Sequence, residues 1–152
     1  MVKFLRSACG DLCLYVRHYA WLGTAPDRAE GDKSKAPVKT RAQQMQDAAG
    51  SDFEPDMPDA GAAAYLLRHF WAAGPTAGEH VLTHGELRHY QENEGIRLTP
   101  WECDTLRSMS GAYLSESHKA RAPDCPPPYE ESTDAQRLRQ AELERKMDLF
   151  LN

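Results

Sequence analysis

A chain of 152 residues with 41% hydrophobic content can fill one small core and leaves part of its length outside it. Its formal net charge of −5, with basic residues scattered among acids, argues against nucleic acid, which calls for a clustered positive surface. The four cysteines, Cys9, Cys13, Cys103 and Cys125, contain no CxxC pair, so free thiols in a reducing cytoplasm are expected rather than a disulfide framework.

Residues 1–22 predict an amphipathic helix. Phe4, Leu5, Cys9, Leu12, Val16, Tyr19 and Ala20 fall near helical spacing, with Gly10 as a propensity cost in the middle. Asp11, Arg17 and His18 interrupt the apolar run, which is too short to span a membrane, and no small-residue cleavage site follows it. A soluble, intracellular protein is expected. The helix is suited to docking on the domain or binding a partner. Without a basic face it is least suited to a membrane surface.

Residues 23–58 read as a linker, disordered for want of apolar surface. Only Val38, Met45, Phe53 and Met57 have bulk to offer a core, too little to offset the ordering entropy. A short helix around 39–49 is compatible with the pattern. Asp59 then predicts an N-cap for a helix over 60–73. Its apolar face is Tyr65, Leu66, His69, Phe70 and Ala73, broadened by Leu67 and Trp71, and Gly74-Pro75 ends it.

The stretch Thr83 to Ser117 carries two helix-start signals. Thr83-His84-Gly85-Glu86 is a capping box, in which the threonine hydroxyl accepts the third residue's N–H and the glutamate reaches back. Thr99-Pro100-Trp101-Glu102 repeats it with proline at the first helical position. Gly95 suits a left-handed stop. These signals predict a helical hairpin, His84 to Glu94 and Pro100 to about Lys119. With the helix before it, this makes an all-α core domain of three helices over 59–120. The predicted core is Tyr65, Leu66, Phe70, Leu87, Tyr90, Leu98, Trp101, Leu106, Met109 and Tyr113.

Residues 121–131, RAPDCPPPYEE, predict a stiff polyproline spacer. Pro126-Pro127-Pro128-Tyr129 also matches the PPxY ligand pattern of WW domains. A last helix is predicted over 132–152, with Leu143, Met147, Phe150 and Leu151 as an apolar stripe. These four residues, with Trp71, are the candidate partner-binding residues. The stripe is expected to be covered by the domain, by a partner or by a second copy.

No constellation calls for an enzyme, a metal or a cofactor. His80, His84 and His89 lie close in sequence but without HExxH spacing. Ser108 and Ser110 lack a nucleophile elbow, and there is no phosphate-cradling glycine loop.

The segment LTPWECDTLRSMSGAYL, preceded by the helix AAAYLLRHFWAAG, resembles small tail assembly chaperones from the tail-morphogenesis region of long-tailed bacteriophages. Leu98, Pro100, Trp101, Glu102, Leu106, Met109, Ala112, Tyr113 and Leu114 carry the likeness. It implies a non-enzymatic protein of the host cytoplasm that binds the tape-measure protein and recruits tail-tube subunits. A structural virion protein, a connector or minor tail component whose arms wrap its neighbours, is the alternative.

Overall fold

The computed structural model describes residues 1–130 and the single position Arg145. The helix expected over 132–152, with Leu143, Met147, Phe150 and Leu151, lies outside the described residues. Five helices occur among the described residues: α1 (Val2–Gly23), α2 (Arg41–Ala49), α3 (Leu66–Ala73), α4 (His84–Glu94) and α5 (Pro100–Lys119). The fold is all-α.

The two capping boxes form as the sequence predicts. Thr83 Oγ1 accepts the Glu86 N–H at 3.2 Å while Glu86 Oε2 accepts the Thr83 N–H at 3.0 Å. Thr99 and Glu102 do the same at 3.3 and 2.7 Å. Gly95 closes α4 at φ 64°, in the left-handed region. Leu82 and Leu87, on either side of the first cap, are both buried in the main core.

The principal helix pair is α1 with α5, not α4 with α5. On α1, Ala8, Leu12, Val16 and Ala20 repeat every fourth residue and are buried. Two alanines in that stripe permit close approach of the facing helix. Opposite stand Leu106 and Met109, with Leu66 and Phe70 of α3 filling the space between. The domain is therefore not the three-helix unit alone, because α1 supplies one whole side of its core. On the α4–α5 side polar bonds add to the apolar packing of Leu82 and Leu87. Ser110 Oγ accepts the Leu82 N–H at 2.9 Å, Arg107 Nε donates to the Leu82 carbonyl at 3.2 Å, and Gln91 Oε1 accepts the Leu98 N–H at 2.8 Å.

One sequence expectation is corrected here. The helix predicted over 60–73 begins only at Leu66. Asp59 Oδ1 accepts the Gly61 N–H, two residues on, and so makes a local turn rather than a helix cap. Gly61 has φ +75°, and a Cβ there would sit 2.6 Å from Asp11 Oδ2 of α1. Both the positive φ and this close approach favour glycine at the turn before α3. Residues 23–58 hold α2, where the pattern allows a short helix around 39–49. Its Thr40–Gln43 capping box is complete, and Arg41 is buried against α1. The few apolar residues of this segment are supplemented by a cation–π contact that apolar counting does not register.

Candidate functional site

The residues expected in the core separate into three groups. Phe70, Leu106 and Met109 are fully buried. Trp101 and Tyr113 are half-buried, packed on the edge of the same cluster. Tyr65 is not core. It is 52% exposed, and its phenol donates to Glu102 Oε1 at 2.6 Å. That bond pushes Tyr65 up to about 12, with burial a smaller cause. It also employs the glutamate of the second capping box, which is why an aromatic residue is held at the surface here. Trp71, a candidate partner contact, is half-buried in a ring cluster with Tyr19 at 4.6 Å, Phe70 at 4.9 Å and Tyr113 at 5.9 Å between ring centres.

The most chemically dense region lies elsewhere, where α1 ends, α2 begins and α5 gives way to the proline-rich segment. The final turns of α1 present His18 and Trp21, both buried. They stack with ring centres 5.8 Å apart and planes 13° from parallel. The Trp21 indole N–H donates to the Cys125 carbonyl at 2.9 Å. The Tyr129 ring stands edge-on to His18 at 5.5 Å and 78°. The segment read as a spacer thus lies along α1, seated on two aromatic rings.

Arg41 closes the region from the α2 side. Its guanidinium carbon stands 4.8 Å from the centre of the Trp21 ring. Nη2 donates to the Ala122 carbonyl at 3.0 Å and Nη1 to the Trp21 carbonyl at 3.5 Å. The last turn of α1 has no basic residue of its own, so Arg41 supplies the cation that the negative end of a helix dipole favours. Glu116 of α5 is buried beneath the same segment and accepts from Arg17 Nε at 3.2 Å. Burial holds His18 below the ordinary histidine value. The Asp56 backbone and the Asp56 and Glu116 carboxylates pull in the opposite direction but do not win. Its Nδ1 is buried without a hydrogen-bond partner among the described residues.

Two open grooves flank α1. One, of about 330 Å³, is walled by Tyr15, Tyr19, Leu22, Ala42, Pro55 and Met57. The other, of about 280 Å³, lies between Val2, Leu5 and Cys9 of α1 and Trp101 of α5. Beside the second groove, Met1, Val2 and Phe4 are 98%, 68% and 58% exposed.

Burial and the neighbouring Cys9 push Cys13 up to about 12, so it stays a thiol. His80, His84 and His89 are each exposed, and His84 Nε2 faces Arg107 at 3.1 Å. Among the described residues no group of three or more His, Cys, Asp or Glu side chains is arranged to hold a metal ion. No helix among them is long and apolar enough to cross a membrane.

His18, Trp21, Arg41 and Glu116 had not emerged as site residues from the sequence. The signal in hand was the PPPY run, whose docking surface could not be read locally because Cys125 lies 104 positions from Trp21. No protein-family model, curated protein or solved structure matches the chain.

Proposed function

We propose that this chain is a non-enzymatic protein-binding module that acts as a tail assembly chaperone of a long-tailed bacteriophage, in the host cytoplasm. Its clients on this reading are apolar helical segments of the tape-measure protein, with tail-tube subunits recruited to the complex. One observation carries the binding part. Met1, Val2 and Phe4 stand in water beside an open groove walled by Trp101. An amphipathic client helix laid there buries both its own apolar face and these side chains. Trp101 belongs to the segment that resembles tail assembly chaperones, and this likeness alone supports the phage assignment. The net charge of −5 suits a surface that holds apolar segments while staying soluble itself.

Co-expression with a tape-measure protein tests the reading. The chain is expected to raise the soluble yield of the tape-measure protein and to co-purify with it. Val2→Asp and Phe4→Asp, which change exposed positions only, are expected to abolish both effects. A yield that is the same with and without the chain sinks the chaperone reading. Mass spectrometry of purified particles decides the alternative, since a structural virion protein remains in the mature particle and a chaperone does not.

A further inference from the structure

The contacts around residues 121–130 describe a ligand in its site. The segment leaves α5 through a turn in which the Cys125 N–H donates to the Ala122 carbonyl at 3.1 Å, and the prolines that follow have no N–H of their own to donate. Here Trp21 Nε1 donates to the Cys125 carbonyl and Arg41 Nη2 to the Ala122 carbonyl. At the far end of the proline run, the Tyr129 ring meets His18. An indole N–H on a carbonyl beside the prolines and a ring against the terminal tyrosine are how aromatic-lined grooves read proline-rich peptides. His18 is 5% exposed, so the ring that meets Tyr129 is a buried part of the wall.

We propose that His18, Trp21 and Arg41 form a binding site for a proline-rich segment ending in tyrosine, filled in cis by this chain's own Ala122–Tyr129 and open to the same segment of a second copy. The inference is independent of the tail assembly reading. The cis segment is tethered only a few residues beyond α5, so its effective concentration exceeds that of a free competitor. A single copy therefore keeps its own segment under dilute conditions, and exchange appears when the cis ligand is crippled. The site supplies two donors and the His18 ring, and the segment two carbonyls and the Tyr129 ring, so each half can be inactivated separately.

Two full-length variants provide the test. Tyr129→Ser cripples the ligand and leaves the site. Trp21→Phe removes the indole donor and leaves the ligand. Each alone is expected to run as a monomer in multi-angle light scattering. An equimolar mixture is expected to show a species of doubled mass, because the intact ligand of one enters the intact site of the other. A synthetic peptide of residues 122–130 is expected to shift the Trp21 indole resonance of Tyr129→Ser. Its affinity for the wild-type chain should be about tenfold weaker or less, since the tethered segment competes. If Trp21→Phe loses its far-ultraviolet helix signal, His18→Gln replaces it as the site variant. A peptide that leaves the indole resonance unmoved overturns the site. Peptide binding with a mixture that stays monomeric overturns exchange between copies, as does self-association of Tyr129→Ser alone.

Discussion

Arg17 Nε donates to Glu116 Oε2 at 3.2 Å, across 99 positions of sequence. The carboxylate side chain is 4% exposed and the guanidinium 41%, so the bond joins a buried anion on α5 to a partly wet cation on α1. Such a pair is informative mainly through what its breakage leaves behind.

Arg17→Ala strands Glu116 in the interior and is expected to cost roughly 2 kcal/mol. Arg17→Ala with Glu116→Gln should recover part of that loss, because the buried charge goes with its partner. Urea titrations of the two single variants and the double variant measure the coupling. Additive losses would mean that the two side chains do not interact in solution.

Phe70 and Trp101 separate a filled interior from a groove wall. Phe70 is fully buried, and Phe70→Ala is expected to cost about 3–5 kcal/mol. Trp101 is only half-buried and lines the open groove, so Trp101→Ala should cost less, roughly 2 kcal/mol. Thermal melts of the two variants rank them, and the reverse ranking would place Trp101 in the core.

Glu102 serves both the Thr99 cap and Tyr65. Thr99→Ala is expected to lose about 1 kcal/mol. Burial alone would raise the Glu102 carboxyl, but the Tyr65 and Thr99 hydrogen bonds outweigh it and hold the group below its usual value. A depressed carboxylate contributes stability above its unfolded value, and that stability is lost as pH falls through the folded one. Tyr65→Phe removes one of those bonds, so the Glu102 titration followed by carbon-detected NMR should move upward. An unmoved titration would show that the Tyr65 bond is not kept in solution.

His18 predicts an acid-side response. Its folded value is held below 6.5, chiefly by burial, so the unfolded state binds the proton more readily. Stability from neutral His18 is present above about pH 6.5 and falls as pH drops below it toward the folded value. The groups facing it are Asp56, Glu116 and Tyr129, with Arg41 across Trp21. Melting midpoints at pH 7.5 and 5.5 should differ more in the wild type than in His18→Phe. Equal differences would remove His18 as the titrating group.

The bounds of α4 and α5, the left-handed stop at Gly95 and the burial of Phe70, Leu106 and Met109 were legible in the sequence. Caps and helical stripes depend on residues within a turn or two of one another, and that information is local. Only the tertiary structure decided that α1 packs on α5, that Arg41 covers Trp21, and that the Cys125–Tyr129 segment lies on His18 rather than projecting away. It also took Tyr65 out of the core and set it against Glu102, 37 positions on. Apart from the apolar seam of α1 on α5, each of these contacts joins residues distant in the chain through a single donor, ring or charge. No periodicity marks such a pairing, because one cation over one indole leaves no repeating trace, and its energy exists only once the helices have brought the two together.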